Sequence, residues 1–305
     1  MKILVTGWNG MDNKSFIPRT LALYLTQKGY DVDIWSWDYE YKTSFYGWTW
    51  SKDMKKYIHA ANNGIDWEQS PITKYDLIIH LGAISSTTES NVEEIMKKNF
   101  DFSLWLLNQC QLHKIPLHYA SSASVYGQKT HFQEDGPCDP KTPYAWSKYF
   151  FDRIIQENAN TFRSPVLGLR YFNVYGDFEA HKGEQASVIY KWQNQITTLG
   201  SFNIFKGSED LYRDFIWVND ICEVHEKLLQ TNVSGVFNLG TGESVSFQHI
   251  ADHFVKKHSC DYGEIDFPNN LKCHYQKFTE SDNTKLLEII DHKFTTVDEY
   301  FDKHY

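Results

Sequence analysis

The chain has 305 residues, of which 41% are hydrophobic, enough to bury a large core as one large domain or two closely joined ones. Its formal net charge at pH 7 is -9, and its lysines and arginines form no dense run. These features argue against a surface for nucleic acid or for an anionic membrane. Any phosphate on a ligand must therefore meet local cations.

The cysteines and the apolar segments predict where the protein works. The five cysteines are odd in number, scattered, and never in a C-x-x-C spacing, which favours a reducing compartment and no structural metal. Only the three apolar residues 3–5 precede the first turn, too few for the core of a signal peptide. No stretch approaches the roughly 18 uninterrupted apolar residues of a membrane span. We therefore expect a soluble, cytoplasmic protein.

Short apolar runs and apolar-periodic segments alternate through the first half of the chain. Strands are predicted, in chain order, at residues 3–5, 29–35, 75–80, 117–120, 166–170 and 236–240. Helices are predicted over residues 16–25 and 92–112, and from residue 143 onward. Strands that alternate with helices predict an α/β fold, a Rossmann-type doubly wound parallel sheet with ligands at the carboxyl ends of its strands.

The alternation is less regular after residue 170, which predicts a smaller lobe over the edge of the sheet. We predict a dinucleotide-binding domain at residues 1–170, joined by about 214–240. The substrate-binding lobe is predicted at residues 171–305, made of about 171–213 and 241–305.

The loop after the first predicted strand carries part of a G-x-x-G-x-x-G pattern, which brings backbone N–H groups to a pyrophosphate at a helix N-terminus. Gly7 and Gly10 are present, whereas Asn13 stands at the third position. We interpret Met11 to Ser15 as an insertion, which places Pro18 at the third glycine position. A proline is tolerated there, in the first helical turn.

The end of the second predicted strand bears on the choice of dinucleotide. Ser36 stands where a carboxylate would bond the ribose hydroxyls of NAD. Because a serine does not repel a 2′-phosphate, NADP is allowed. Asp38, two residues later, keeps NAD possible.

One stretch near the middle of the chain carries acid–base chemistry. Thr142 suits an N-cap and Pro143 a first helical position, so Tyr144 and Lys148 lie one turn apart on one helix face. An adjacent ammonium is expected to lower the pKa of the phenol toward the working range. A serine hydroxyl at the end of the preceding strand is placed to share the proton. Such groups suit the oxidation of an alcohol or the reduction of a carbonyl.

The spacing of tyrosine and lysine is not specific by itself. Tyr24 and Lys28 repeat it, and we interpret that pair as plain helix surface. The serine-rich strand end over residues 121–127 (SSASVYG) distinguishes the second pair.

Further motifs follow in order along the chain. They are the segments 81–89 (LGAISSTTE), 170–176 (RYFNVYG), 181–183 (HKG), 205–208 (FKGS), 213–215 (RDF) and 275–279 (YQKFT). With these motifs the chain resembles the extended short-chain dehydrogenase/reductase superfamily. Within it, the chain is most similar to the ADP-L-glycero-D-manno-heptose 6-epimerases.

The resemblance implies an enzyme that inverts one carbon of a nucleotide-diphosphate sugar, by transient hydride transfer to tightly bound NADP, with NAD possible. Tyr144 and Lys182 would be the two acid–base groups. Ser122 would bond the reacting oxygen, and Lys148 would hold the cofactor ribose and lower the pKa of the tyrosine. The resemblance also implies a homo-oligomer that makes a lipopolysaccharide precursor.

The same resemblance implies two sets of binding residues. The dinucleotide would be lined by Gly7, Gly10, Phe16, Ile17, Ser36, Leu81, Gly82, Ala83, Ser85, Asn99, Tyr144, Lys148 and Val174. The nucleotide sugar would be held by Thr87, Thr88, Ser122, Asn173, Lys182, Glu184, Lys191, Phe205, Lys206, Gly207, Ser208, Arg213 and Tyr275. Arg213 would be the natural partner of the diphosphate. The histidines are expected to be structural or surface residues, and no metal ligand is predicted.

The chain departs from the family pattern at Glu184, where the family has a small hydroxyl residue, and at Lys191, where it has a histidine. A sugar 4,6-dehydratase would carry an Asp-Glu pair just after Ser122, and Ala123-Ser124 stand there instead. Two alternatives stay open. One is a UDP- or GDP-hexose 4-epimerase with the same serine, tyrosine and lysine, and the other is a non-catalytic nucleotide-sugar binder.

Overall fold

The computed structural model describes residues 1–8, 15–36, 72–86, 89–268 and 275–304. Its strands are β1 (Lys2–Trp8), β2 (Asp31–Ser36), β3 (Leu77–His80), β4 (Leu117–Ser122), β5 (Val166–Tyr171), β6 (Asn173–Tyr175), β7 (Phe202–Phe205), β8 (Tyr212–Trp217), β9 (Gly235–Leu239), β10 (Ser244–Ser246) and β11 (Tyr262–Ile265). Its α-helices are α1 (Ile17–Gln27), α2 (Val92–Ile95), α3 (Phe102–His113), α4 (Pro143–Asn158), α5 (Val188–Leu199), α6 (Val218–Leu228), α7 (Phe247–His258), α8 (Thr284–Leu287) and α9 (Val297–His304). Within these ranges, no helix has both the length and the apolar character needed to cross a bilayer.

The main sheet confirms the predicted Rossmann-type doubly wound α/β fold. In the described part of the chain six strands pair in the order β2-β1-β3-β4-β5-β9, and every pairing is parallel. The chain leaves β1 toward β2 and then returns to β3 on the other side of β1. This reversal opens a crevice at the carboxyl ends of β1 and β3, where ligands bind in open parallel sheets.

The sheet is covered on both faces, because successive side chains of a strand point in opposite directions. Leu4 of β1 belongs to the apolar cluster formed with α3 and α4, which includes Phe102 and Phe151. Its neighbours Ile3 and Val5 belong to a second cluster that α1 and α6 complete. One short run of apolar residues in β1 therefore supplies both halves of the core.

A helix predicted over residues 92–112 has a different form. The structure has α2, then a π-helical segment at Met96–Asp101, and then α3. The periodicity of apolar side chains does not show where backbone hydrogen bonds join residues five positions apart, so the π-helical segment was not predicted. Single π turns occur often at functional sites, and this one contains Asn99.

The later part of the chain forms two smaller sheets, β10-β8-β6 and β11-β7. Helices α5, α7 and α9 pack on them around a cluster rich in aromatic residues, including Trp192, Phe215, Phe254 and Phe301. Strand β9, from the same later part of the sequence, returns to the main sheet beside β5. The division into two domains stays a prediction.

Candidate active site

Helix α4 begins as the sequence predicts. Thr142 is the N-cap, and its hydroxyl accepts a hydrogen bond from the backbone N–H of Ala145 at 3.2 Å. Pro143, the first helical residue, has no N–H to leave unsatisfied. Tyr144 and Lys148 therefore lie on one face of the first turns, and Asp152 follows one turn later on the same face.

Burial shifts the pKa of Tyr144 in the direction opposite to the prediction. It raises the pKa to about 12, because a half-buried phenolate loses hydration, and the hydrogen bond with Ser122 opposes this only in part. Lys148 does not lower it as predicted, since its ammonium lies 6.0 Å from the centre of the tyrosine ring. The prediction that Lys148 alone brings the phenol toward its working range is therefore wrong for this structure.

Lys148 is buried and held in place by the backbone. Its Nζ donates to the carbonyl oxygen of Ala120, near the end of β4, at 2.8 Å. Burial lowers its pKa to about 8, because an ammonium is poorly solvated there, although the charge of Asp152 acts in the other direction. The amine is thus fixed at the carboxyl edge of the sheet with a weakened hold on its proton.

The second Tyr-x-x-x-Lys pair shows what the same spacing does elsewhere. The Tyr24 hydroxyl donates to Glu226 of α6 at 2.6 Å, and Lys28 forms an ion pair with the same carboxylate at 3.3 Å. Both side chains tie α1 to α6. The interpretation of this pair as ordinary helix surface agrees with these contacts.

The backbones at the ends of β1 and β3 are in close contact. Gly7 has a φ of +104°, and a Cβ there would lie 2.6 Å from the backbone nitrogen of Gly82. The contact between the two strand ends therefore leaves no room for a side chain at position 7. Beside this contact Ile17, Leu81 and Val174, three residues predicted to line the dinucleotide, pack against one apolar cluster.

The N-terminus of α1 is suited to an anion. Its N-cap residue, Phe16, provides no side-chain hydrogen bond to the first turn, and Pro18 lies in that turn. The hydroxyl of Ser15 is buried without a hydrogen-bond partner. Helix N–H groups and an unsatisfied hydroxyl at the crevice are the donors that a pyrophosphate requires. These residues fit a bound dinucleotide.

Asn99 positions the loop that follows β3. Its side-chain oxygen accepts from the N–H of Ile84 at 2.8 Å, and its amide nitrogen donates to the carbonyl of the same residue at 3.0 Å. The amide nitrogen also donates to Ser147 of α4 at 3.2 Å. Through this one buried side chain, the loop at residues 81–84 is fixed to the helix that carries Tyr144 and Lys148.

Lys182 lies in a short 3₁₀ segment at Ala180–Gln185. Its Nζ is 2.8 Å from the fully buried carboxylate of Glu179 and 4.8 Å from the centre of the Phe16 ring. Glu179 also accepts from the N–H and the hydroxyl of Ser187, at 2.8 and 2.7 Å. The structure therefore brings Lys182 beside a predicted cofactor-lining residue, with its charge paired.

The two departures from the family pattern are close together. Lys191 of α5 donates from Nζ to the backbone carbonyl of Glu184 at 3.2 Å. Burial lowers the pKa of Lys191, although the carboxylates of Glu184 and Glu179 oppose the shift. Next to them, Gln185 donates to the hydroxyl of Ser86, in the loop after β3, at 2.8 Å.

Arg213 is a buried cation with aromatic neighbours. Its guanidinium lies 4.6 Å from the centre of the Tyr275 ring, and its Nη1 donates to the carbonyl of Tyr212 at 2.7 Å. Burial lowers its pKa, although Tyr275 opposes the shift. In the described ranges no carboxylate is among the groups that shift the pKa of this guanidinium. Because a buried charge is costly without a partner, this site favours an anionic ligand.

Other predicted substrate residues surround this arginine or lie farther out. Phe205 reaches Tyr275 through Phe267, with ring centres 5.0 and 4.7 Å apart. Ser208 is buried and follows Gly207, which has a φ of +82°. Asn173 accepts from Thr279 at 3.3 Å. Lys206 instead forms an exposed ion pair with Asp266 at 2.8 Å.

Some predicted residues cannot be placed. Gly10, Thr87 and Thr88 lie outside the described residues, and so does the side chain of Ser36. Ala83 is half-buried and Ser85 is exposed.

Sequence reasoning missed the carboxylates that hold the site. Asp152 forms a fully buried ion pair with Arg170 at 2.7 Å and accepts from Tyr119 and Ser121 at 2.9 and 2.8 Å. Its position one turn after Lys148 was the available signal. Glu179 offered no such signal, because its partners come from residues up to eight positions later in a loop.

Comparison with known proteins agrees with this geometry. A family model described as the NAD dependent epimerase/dehydratase family matches residues 3–240. The chain is 25% identical to the ADP-L-glycero-D-manno-heptose-6-epimerase of Helicobacter pylori, covering 100% of this chain and 94% of that one, with a TM-score of 0.82.

Two 4-epimerase structures share the fold. A UDP-N-acetylglucosamine 4-epimerase from Methanobrevibacter ruminantium is 20% identical over 99% of this chain and 94% of that one, with a TM-score of 0.80. A UDP-glucose-4-epimerase from Stenotrophomonas maltophila, solved with bound NAD, is 20% identical over 97% of this chain and 94% of that one, with a TM-score of 0.74.

Proposed function

The chain belongs to the NAD dependent epimerase/dehydratase family, and from this premise we propose that it inverts one carbon of a nucleotide-diphosphate sugar with a tightly bound NADP or NAD. An ADP-glycero-manno-heptose is the first candidate substrate. The observation that carries the proposal is the set of Ser122, Tyr144 and Lys148 at the carboxyl edge of the sheet, beside the crevice between β1 and β3.

Family membership confirms the prediction of an NAD(P)-dependent enzyme of the epimerase class within the extended short-chain dehydrogenase/reductase superfamily. It also removes the non-catalytic binder from the alternatives. The position in lipopolysaccharide synthesis, the cytoplasmic location and the homo-oligomer stay predictions.

The residues of the site have separate tasks in this proposal. The dinucleotide, when bound, accepts a hydride from the sugar carbon and returns it, and its oxidised ring adds a positive charge. A positive charge favours the phenolate of Tyr144, which counters the effect of burial on its pKa. Tyr144 then takes the hydroxyl proton of the sugar, with Ser122 bonded to the same oxygen. Lys148 holds the ribose.

Binding of the substrate is assigned to the second lobe. The buried Arg213 faces aromatic rings that a nucleotide can also contact, and it would bind the diphosphate. Anchoring the substrate through its diphosphate leaves the carbon that is inverted free to reorient. Such a reorientation presents the opposite face of the carbonyl before the hydride returns.

A panel of nucleotide sugars tests the proposal. The protein is incubated separately with ADP-heptose, UDP-hexose and GDP-hexose substrates, and the products are identified by NMR. We expect one substrate to be converted to its epimer without net oxidation. Net oxidation, loss of water, or no conversion of any substrate would contradict it. The nucleotide released on denaturation, identified by mass spectrometry, distinguishes NADP from NAD.

One observation favours the second candidate, a UDP- or GDP-hexose 4-epimerase. Lys182 would be the second acid–base group of a 6-epimerase, yet its ammonium is paired with Glu179 at 2.8 Å. This ion pair gives Lys182 a structural contact that does not depend on a proton transfer. A 4-epimerase that relies on Tyr144 alone does not need it.

Replacement of Lys182 separates the two candidates. If Lys182 is the second acid–base group, Lys182→Met lowers kcat by about 10²- to 10⁴-fold with little change in KM. The matched control is Lys293→Met, which also breaks a lysine–glutamate ion pair, with Glu299 at 2.6 Å, outside the site. A kcat for Lys182→Met within a factor of two of the wild type would favour the 4-epimerase.

A further inference from the structure

We propose that His249, His253 and Asp298 form a site for a divalent transition-metal ion that joins α7 to α9. The two histidines lie one turn apart on α7, and the aspartate lies in the first turn of α9. This proposal departs from the prediction, based on cysteine spacing, that the protein has no metal. It does not depend on the proposed enzymatic function.

The three side chains converge on one point. Nε2 of His249 and Nε2 of His253 each lie 2.7 Å from the same oxygen, Oδ1 of Asp298. The three potential ligand atoms all lie within 4.8 Å of one another. Each imidazole must donate an N–H hydrogen bond to the same carboxylate oxygen. One bound cation would replace both of these hydrogen-bonding protons.

The scaffold fixes the histidines and leaves the carboxylate accessible. The His253 ring stacks on the Phe301 ring, with ring centres 4.8 Å apart. The backbone N–H of His249 donates to the hydroxyl of Ser246, the N-cap of α7. The Asp298 side chain is 61% exposed, so an ion can enter. Tetrahedral ligands at 2.0–2.1 Å are about 3.3 Å apart, so the carboxylate must move outward by roughly half an ångström, which its exposure allows.

The charges around the site favour a cation. Within the described residues no lysine or arginine lies within 4.0 Å of the Asp298 carboxylate. The carboxylate oxygens therefore have no competing ammonium within that distance.

The ligand set selects the class of ion. Imidazole nitrogens suit zinc, nickel, copper and cobalt, whereas magnesium and calcium take oxygen ligands. Two histidines and one carboxylate leave at least one position for water. The site would therefore hold a borderline ion such as Zn²⁺ and bind it without the need for a cysteine.

A second cluster of potential metal ligands already has a lysine ammonium beside it. Asp220, Glu223 and His292 also lie close together. There, however, Nζ of Lys227 is 3.0 Å from Nδ1 of His292. A metal would have to displace that ammonium, so this cluster carries no metal proposal.

Direct binding tests the proposal. The protein is produced without a polyhistidine tag, reduced, stripped of metal and titrated with Co²⁺ under absorption spectroscopy. We expect one Co²⁺ per chain, with weak visible bands and no thiolate charge-transfer band, displaced by Zn²⁺ but not by Mg²⁺. The thiolate band matters because Cys110, Cys138, Cys222 and Cys260 are free. No saturable binding, or a site with thiolate ligands only, would overturn the proposal.

Single variants locate the site. His249→Ala and Asp298→Asn should each weaken Zn²⁺ binding by an order of magnitude or more, since even indirect partners of a ligand are worth about 10- to 100-fold. The matched control is Asp302→Asn, which removes the ion pair with Lys257 across the same two helices. Equal affinity of His249→Ala, Asp298→Asn and the wild type for Zn²⁺ would refute the assignment.

The effect on stability gives an independent measurement. Zn²⁺ should raise the melting temperature of the wild type and of Asp302→Asn, because an ion bound only by the folded chain stabilises it. It should not do so for the His249→Ala, His253→Asn double variant. These measurements use folding and binding, so they remain interpretable if the epimerase proposal fails.

Discussion

At the residue scale, burial bears on the protonation of Tyr144 and Lys148, the proposed catalytic pair. Desolvation raises the pKa of Tyr144 to about 12 and lowers that of Lys148 to about 8. Both shifts favour the neutral form of each group, since the charged forms lose hydration. Burial therefore favours the neutral phenol in the free protein, and a positive charge brought by the proposed dinucleotide would favour the phenolate.

Tyr144→Phe removes the acid–base group but keeps the ring. We expect kcat to fall by about 10²- to 10⁴-fold, with the dinucleotide still bound after gel filtration. The control is Tyr149→Phe, on the same helix, which should retain wild-type turnover. Epimerisation by Tyr144→Phe at the wild-type rate would contradict the role assigned to Tyr144.

The buried pair of Asp152 and Arg170 makes a prediction about stability. Asp152→Asn leaves a buried guanidinium without its counter-charge, which should lower the free energy of unfolding by about 3–5 kcal/mol. The double variant Asp152→Asn, Arg170→Met removes the unpaired charge and should recover part of this loss. Urea denaturation measures both. A double variant no more stable than the single one would show that the unpaired charge is not the cause.

At the element scale, α4 connects local sequence to the site most directly. Its N-cap, its proline and the one-turn spacing of its functional residues all follow from local rules. Helix α4 meets the rest of the site through Lys148 at Ala120 and through Ser147 at Asn99. The order of the first turn therefore bears on stability and on catalysis together.

Thr142→Ala tests this dependence. Loss of the bond to the N–H of Ala145 should lower the free energy of unfolding by about 1 kcal/mol, and kcat should fall because Tyr144 lies in the same turn. Thr142→Ser retains the hydroxyl and is the matched control. If Thr142→Ala and Thr142→Ser have the same unfolding free energy, the cap does not stabilise the helix.

Local patterns were sufficient for much of the fold. The strands that end near the crevice and the start of α4 were predicted from sequence, because apolar period, glycine and capping act over a few residues. The π-helical segment with Asn99 was not, since its bonds depend on packing against Ile84 and Ser147. Prediction failed where the cause was a contact distant in sequence.

The site shows the same division. The spacing of Tyr144 and Lys148 was evident from the sequence. The direction of the tyrosine pKa shift depends on burial, which the sequence does not give. The partner of Lys182 and the convergence of His249, His253 and Asp298 arise only when separate loops and helices meet.

At the scale of the whole molecule, the doubly covered sheet encloses three histidines, His80, His118 and His225, that form no ion pair with the described residues. His80 is bonded to Thr6 and Ser103, and burial lowers its pKa to about 3. Burial lowers the pKa of His118 to about 4 and that of His225 well below its ordinary value. The two rings stack with centres 5.7 Å apart. The folded protein therefore resists protonation at all three positions.

Stability should consequently fall as the pH falls. Below an unfolded-state pKa of about 6.5 the unfolded chain takes up protons that the folded chain does not, so each histidine destabilises the fold progressively down to its folded-state pKa. For His118 the loss between pH 7 and pH 5 is about 2 kcal/mol. His118→Gln should reduce the loss by that amount in urea titrations, and exposed His131→Gln should not. Equal pH dependence in both variants would argue against this origin.

The order of the strands also determines which strand edge is exposed while the protein is being synthesised. Strand β9 pairs with β5, yet it follows β5 by more than sixty residues of chain, which contain β6, β7 and β8 of the other sheets. During synthesis one side of β5 therefore has no neighbour until residue 239 is available. An exposed strand edge invites association with other chains. Truncated products that stop before β9 leave β5 as the edge strand and should accordingly be the ones that aggregate or require chaperones.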